Sequence, residues 1–192
     1  MEVANKEATA DGSSESSSFV VIDYPVFTYN FPEAALQSIN AFRKEPKTFY
    51  KILEQFKHNI SDGPSYDKIQ YKHWKYKIEH GNFEYLKNYI NNLEPMKELQ
   101  RNDLIAIPAT QANKDDFYNL QSELQSTYNF EASFYTRINE PNFAIVVRCL
   151  SNIIKGVFDC GKYDIFNDKF TSIGIDCNNG GTKNFFATFT FK

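Results

Sequence analysis

Histidines, cysteines and paired carboxylates are the side chains of this chain best suited to metal binding or catalysis. A helical zinc site places two imidazoles four residues apart, and a general acid or base is most often a histidine. His58, His73 and His80 are the only histidines, and no two of them have that spacing. Surface or loop positions explain all three more simply than a metal or catalytic role.

The cysteines offer no clearer reactive group. Cys149, Cys160 and Cys177 are odd in number and lack Cys-x-x-Cys spacing. Because the amino-terminal residues show no secretory pattern, this usage predicts reduced, mostly buried thiols. Lys162 lies close to Cys160 and could activate its thiol, but no histidine is nearby in the sequence. An inert thiol is the better interpretation.

Carboxylate pairs and glycine-rich turns give no catalytic signal either. Asp115-Asp116, and Asp164 with Asp168, could form an acid–base pair, although solvation at the surface explains them as well. No Gly-x-Ser-x-Gly elbow, Walker loop or dinucleotide-binding fingerprint occurs. The sequence therefore predicts no catalytic residue, no metal ligand and no cofactor, and a protein that is not an enzyme.

Basic and aromatic residues alternate in the segment YDKIQYKHWKYK, which spans residues 66–77. Such segments stack on nucleic-acid bases or bind acidic protein surfaces. The net charge of −3 disfavours nucleic acid, so an acidic protein such as a tubulin-like polymer is the favoured partner. The alternative is a solvated strand or loop whose rings pack on the domain. The candidate partner-binding residues are Tyr66, Lys68, Tyr71, Lys72, Trp74, Lys75, Tyr76 and Lys77.

The amino-terminal 31 residues differ in composition from the rest. Residues 1–18 are rich in serine, glutamate and alanine, which predicts disorder in isolation. Residues 19–31 (FVVIDYPVFTYNF) are apolar but interrupted by Pro25, which predicts an extended arm that lies over the domain or docks into a partner. Phe19, Tyr24 and Phe27 are its candidate contact residues. No apolar run reaches the roughly 20 residues of a membrane span, so a cytoplasmic protein is expected.

Helical periodicity begins directly after this arm. Pro32 opens one helix and Pro46 opens a second, because proline fits the first turn of a helix. The second helix carries an apolar stripe from Phe49 to Ile60, and Asp62-Gly63-Pro64 is predicted to end it. These two helices are the clearest amphipathic elements of the chain.

Three further helices are predicted downstream. One follows Gly81, one runs from about 102 to 126 with Pro108 at a kink or at its true start, and one runs from Pro141 to Gly156. The residues expected to point inward from the helix at 102–126 are Leu104, Ile105, Phe117, Leu120 and Leu124.

The carboxyl-terminal residues change to a period of two. Apolar residues alternate from Thr171 to Cys177 and again from Phe185 to Phe191, with Asn178-Asn179-Gly180-Gly181 between the two runs. Asparagine and glycine supply the positive φ angles of a tight hairpin. Helices followed by an antiparallel hairpin predict an α+β fold.

Three stretches of the sequence resemble one known family. They are ALQSINAFRKEPKTFYKILEQF, GNFEYLKNYINNLEPMKELQRNDL and IIKGVFDCGKYDIFNDKFTSIGIDC. The first is similar to the pattern I-N-x-x-R-x-x-P-x-x-F of the microbial and protist branch of the CAP superfamily, the cysteine-rich secretory, antigen 5 and pathogenesis-related (SCP) domain. The resemblance covers residues 32–192 and implies a CAP-like three-layer α-β-α sandwich that ends in an antiparallel hairpin.

The resemblance also implies what this chain lacks. Members of the family with an intact cleft carry two histidines and two acidic residues that can hold a divalent metal. Here Gln111 or a neighbour stands in place of the first histidine, and Gly161-Lys162-Tyr163 in place of the second. Both imidazoles are missing, so no site residue can be transferred from the family to this chain.

These observations favour a non-catalytic CAP-like domain that acts as a structural or protein-interaction component of a larger intracellular assembly. Its lysine- and asparagine-rich composition is typical of a protist, for which a cytoskeletal or ciliary, microtubule-associated assembly is the most specific expectation. One alternative is a lipid- or sterol-binding module whose groove is lined by Phe83, Tyr85 and Tyr89. A hydrolase with an atypical site is the second alternative.

Overall fold

The computed structural model describes residues 30–59, 66–109, 114–154, 165–178 and 185–192. In these residues the α-helices are α1 (Phe31–Lys44), α2 (Pro46–Phe56), α3 (His80–Asn91), α4 (Lys114–Tyr128) and α5 (Pro141–Ile154). The strands are β1 (Lys57–Asn59), β2 (Tyr66–Tyr71), β3 (Trp74–Glu79), β4 (Gln100–Arg101), β5 (Ala132–Thr136), β6 (Ser172–Asn178) and β7 (Phe186–Phe191).

The strands form two sheets. The small sheet has the order β1-β2-β3 with antiparallel neighbours, and the large sheet has the order β4-β6-β7-β5. β6, β7 and β5 pair antiparallel, whereas β4 runs parallel to β6. The predicted α+β class and the carboxyl-terminal antiparallel hairpin are confirmed. Among the described helices, none combines the length and the apolar composition that a membrane crossing needs.

Aromatic rings fill the main core, which lies between the large sheet and the helices α1, α2, α3 and α5. Phe134 stacks on Phe189 of the neighbouring strand at 4.5 Å between ring centroids, and Phe42 meets Phe49 edge to face at 5.2 Å. A smaller cluster around Phe117 of α4 covers the opposite face of the sheet. Both faces of the large sheet are therefore packed.

Two polar residues of α1 attach distant segments to this helix. Asn40 exchanges hydrogen bonds with the backbone of Leu99, donating from Nδ2 to the carbonyl at 3.1 Å and accepting from the amide at 2.8 Å. Arg43 is fully buried and donates to the carbonyl oxygens of Lys97, Ile165 and Asn167 at 2.6–2.8 Å and of Phe170 at 3.2 Å. Both residues belong to the I-N-x-x-R pattern of the sequence.

The structure corrects several predicted elements. α2 ends at Phe56, and Lys57–Asn59 form β1 where helix was predicted, because the backbone pairs with β2 instead. The predicted helix at 102–126 is divided: Asp103–Ile105 form a short 3-10 helix, and α4 starts at Lys114, after Pro108. Leu104 was expected to point inward but is 67% exposed, whereas Ile105 is buried.

Other predicted elements agree with the structure. α5 begins at Pro141 as predicted, and Val146, Cys149 and Leu150 on one of its faces are buried. α1 begins at Phe31, one residue before the predicted start of the domain, and Phe31 is buried against Phe185 and Phe189. The remaining arm and the amino-terminal tail, residues 1–29, lie outside the described residues.

Candidate protein-binding surface

The predicted basic and aromatic segment forms the hairpin of β2 and β3. Tyr71 pairs with Trp74, so Lys72 and His73 make a two-residue turn. Lys72 has a φ of 51°, the left-handed region that two-residue hairpin turns require and that costs a residue with a side chain about 1 kcal/mol. The hairpin thus carries a lysine at its tip in a conformation that glycine or asparagine would adopt more readily.

Alternation along the strands separates the two kinds of side chain. Tyr71 and Tyr76 turn inward and lie 5.5 Å and 6.3 Å from the ring of Phe143 on α5, where Phe56 also packs. Trp74 is half-buried against the same core. Burial raises the pKa of Tyr76 above its ordinary value. These rings attach the hairpin to the domain, which is the packing alternative considered for this segment.

Lysines occupy the outward face of the hairpin. Lys75 and Lys77 are exposed and alternate with the inward rings of β3. Lys68 on β2 lies directly opposite Lys77, and Gln70 lies opposite Lys75. Residues 68–77 carry four lysines and no acidic residue, so they contribute +4 to a chain whose net charge is −3, and the other residues together carry −7. We call the side chains of Lys68, Lys72, Lys75 and Lys77 the cationic face.

The tip of the hairpin lies close to the beginning of α5. Glu140 precedes Pro141 and accepts hydrogen bonds from the backbone amides of Asn142, at 3.2 Å, and Phe143. Burial raises the pKa of Glu140, whereas these two amides and the positive charge of Lys72 act in the opposite direction. Glu140 was not predicted from the sequence, although an acidic residue just before a helix-opening proline is a readable capping signal.

Several other candidate residues fall elsewhere. The arm residues Phe19, Tyr24 and Phe27 and the side chain of Tyr66 lie outside the described residues. Phe83 is buried in the core, where the Lys57 ammonium lies 4.0 Å from its ring centroid. Tyr85 and Tyr89 pack partly buried against the same core. None of these three rings lines the described clefts of about 280, 240 and 370 Å³, so the lipid-groove alternative stays a prediction.

The candidate catalytic groups are equally dispersed. His73 lies in the hairpin turn beside the ring of Trp74, and His80 is exposed at the beginning of α3. Asp168 is exposed near Arg43, whose pKa is lowered by burial and raised by that carboxylate. Among the side chains that the structure describes, no group of three histidines, cysteines or carboxylates could hold a metal ion.

Other groups that were considered cannot be placed. The side chains of Asp115 and Asp116, the residues Cys160 and Asp164, and both positions at which the resemblance expects histidine lie outside the described part of the chain. The described geometry therefore brings together lysines at one surface, and the two carboxylate pairs stay predictions.

No family model, curated protein or solved structure matches this chain. The resemblance to the CAP superfamily therefore stays a prediction, which depends on the three sequence stretches alone.

Proposed function

We propose that this chain is a non-catalytic interaction module that binds an acidic protein surface through its cationic face. The observation that carries the proposal is the register of β2 and β3, which places Lys68 directly opposite Lys77. Like charges in directly opposed positions destabilise a strand pair. An acidic partner would offset this repulsion by binding both lysines. The rings packed on the inner face of the hairpin already hold the strands that carry these lysines in position.

The charge distribution supports one partner class over the others. A cationic face on an otherwise acidic chain attracts an acidic protein locally, while the negative remainder repels a long polyanion such as nucleic acid. The tyrosine rings that base stacking would use are half-buried against Phe143. The cationic face thus favours binding by charge over binding by stacking.

The family and the assembly that we propose for this chain are inferred from the sequence. We take the chain to be a degenerate CAP-like domain, in which a three-layer sandwich without the cleft histidines serves as a shaped component of a larger assembly. A cytoskeletal or ciliary assembly fits best, since tubulin polymers present the acidic surface that the cationic face would contact. Residues Ile39, Asn40 and Arg43, in the first of the three stretches that resemble the family, hold core positions or bind backbone groups, which is consistent with a scaffold role.

Charge reversal tests the proposal with a matched control. The test variant is Lys68→Glu/Lys75→Glu/Lys77→Glu, and the control is Lys44→Glu/Lys47→Glu/Lys97→Glu, whose lysines are exposed outside the hairpin. Both change the net charge by the same amount. Cosedimentation of the tagged full chain with stabilised microtubules, and quantitative recovery of partners from a gentle lysate, measure binding.

The test variant should lose about tenfold in binding, because three surface contacts of about 0.5 kcal/mol each amount together to about 1.5 kcal/mol. The control should change binding less than about twofold, and raised salt should weaken the wild type more than the test variant. Equal losses in the two variants would show that only net charge matters. Undiminished binding of the test variant would remove the proposal.

A further inference from the structure

A cleft of about 280 Å³ runs along the outer edge of β5. Its lining includes the consecutive residues Ser133–Thr136, whose side chains point alternately to the two faces of the sheet. Phe117 and Tyr118 of α4 line it from one side, and Val147 and Arg148 of α5 from the other. The cleft is therefore a groove along a sheet edge, bounded by a helix on each face.

The hydrogen-bond pattern shows which backbone groups face this groove. Lys192 follows β7 and exchanges both of its backbone hydrogen bonds with Ser172, the first residue of β6. Because the direction of backbone hydrogen bonds alternates along an antiparallel strand, the backbone groups of Phe189 point the other way, toward β5. Phe134 lies opposite Phe189 and completes that pair. The backbone amides and carbonyls of Ser133 and Tyr135 consequently point outward into the groove.

β5 lacks the protection that edge strands normally have. Among the described strands it has one neighbour, β7. Its sequence, ASFYT, contains no proline and no lysine, which are the residues that commonly block the addition of another strand. A strand bound in this groove would be covered on both faces, so its sequence should be continuously apolar and not alternating.

The arm of the same chain has this composition. Residues 19–22 read FVVI, all of high strand propensity, and Pro25 would end a strand shortly after them. Asp23 is the one charged residue of segment 19–29, and Arg148 is the one charged residue among the described residues that line the groove. The charges of the segment and the groove are therefore complementary.

Asn30, which directly follows the segment 19–29, lies near the end of β5. Asn30 and Phe31 line a second cleft, of about 240 Å³, together with Asn139. Asn139 is three residues from Thr136, at the end of β5, so the two clefts lie within about 11 Å of each other along the chain. Residues 25–29 can span about 17 Å when extended, which exceeds the roughly 11 Å between the two clefts along the chain.

We propose that residues 19–24 of this chain bind in the groove and add to β5 as a parallel strand. The direction follows from the path: the chain leaves Asn30 near Thr136 and passes toward Ala132 as its residue numbers fall. The large sheet would then have the order β4-β6-β7-β5-arm. The inference is independent of the proposed binding by the cationic face.

Hydrogen exchange of the full chain tests this inference at single residues. The amides of Ser133 and Tyr135 should exchange at least tenfold faster in Val20→Asp/Val21→Asp than in the wild type, because two buried carboxylates would displace the segment from the groove. The control Val3→Asp/Ala10→Asp adds the same charge outside the segment and should leave both amides unchanged. Amides of Gly174 and Thr190, which lie between β6 and β7, should stay protected in all three chains and so report an intact fold.

Equal exchange of Ser133 and Tyr135 in the wild type and the test variant would overturn the inference. Light scattering at the concentration of the exchange experiment separates the two sources of the strand. A monomer whose protection depends on residues 20 and 21 supports docking within one chain. A dimer that dissociates in the test variant would overturn it, since the strand would then come from a second copy.

Discussion

Replacing Arg43 by methionine should destabilise the fold by about 3–5 kcal/mol. The guanidinium donates to four carbonyl oxygens, and those of Ile165, Asn167 and Phe170 are bound in fully buried contacts. Methionine fills much of the same volume but has no donor, and each buried carbonyl left without a partner costs about 1–3 kcal/mol. Removing a buried charge, whose desolvation already lowers the pKa of Arg43, offsets part of that sum.

Urea unfolding measures this loss. Trp74 is the only tryptophan and is half-buried against the core, so its fluorescence should follow the transition. With an m-value of about 2 kcal/mol/M, the expected loss lowers the midpoint by roughly 1.5–2.5 M. Arg101→Met is the matched control, because Arg101 is exposed and its ion pair with Asp103 should contribute less than about 1 kcal/mol.

A midpoint shift below about 0.5 M for Arg43→Met would refute the assigned role of the four carbonyl contacts. Arg43→Lys provides a second measurement where methionine prevents folding. Lysine keeps the charge but has one nitrogen on a flexible stem, so it cannot reach all four carbonyls together. Its midpoint should therefore fall between the wild type and the methionine variant, and a lysine variant as stable as the wild type would count against the same reasoning.

Two further predictions concern the sheet and the cap of α5. Gly174→Ala should destabilise the protein by more than about 3 kcal/mol in the same urea assay. An added Cβ would lie 2.6 Å from the amide nitrogen of Ala106 and 2.7 Å from the carbonyl carbon of Ile105. The control is Gly81→Ala, where an added Cβ meets nothing within 4 Å. Burial raises the pKa of Glu140, so the folded state holds its proton more tightly than the unfolded state, and stability is lost as pH rises through and above the ordinary carboxyl range. Glu140→Gln should remove that loss, so the free energy of unfolding of the variant relative to the wild type should be greater at pH 7 than at pH 4. The same difference between variant and wild type at both pH values would contradict this.

Local signals in the sequence predicted the elements that depend on local physics. Pro46 and Pro141 open helices because proline satisfies the first turn, and the apolar period of two predicted β6 and β7. The separation of lysines from rings in β3 was also readable, since Lys75 and Lys77 alternate with Trp74, Tyr76 and Ile78. The cationic face is therefore the part of the candidate site that the sequence specifies most directly.

Distant polar contacts explain the main failure of prediction, at residues 102–109. The hydroxyl groups of Thr188 and Thr190 donate to the carbonyl oxygens of Ile107 and Ile105, which holds this segment against the large sheet. The amide of Ala109 donates to the Asp176 carboxylate at 2.7 Å. Backbone groups held in this way cannot form the hydrogen bonds of a continuous helix. No local pattern indicates a partner more than 60 residues away.

α5 connects the two proposed binding surfaces. Phe143, in its first turn, supports the hairpin that carries the cationic face, and Val147 and Ser151 line the groove of β5. These positions are about 6 Å and 12 Å from Phe143 along a helix that rises 1.5 Å per residue. A single buried helix thus sets the distance between the lysines and the groove, so a partner bound at the cationic face and an arm docked on β5 would be held on one rigid element.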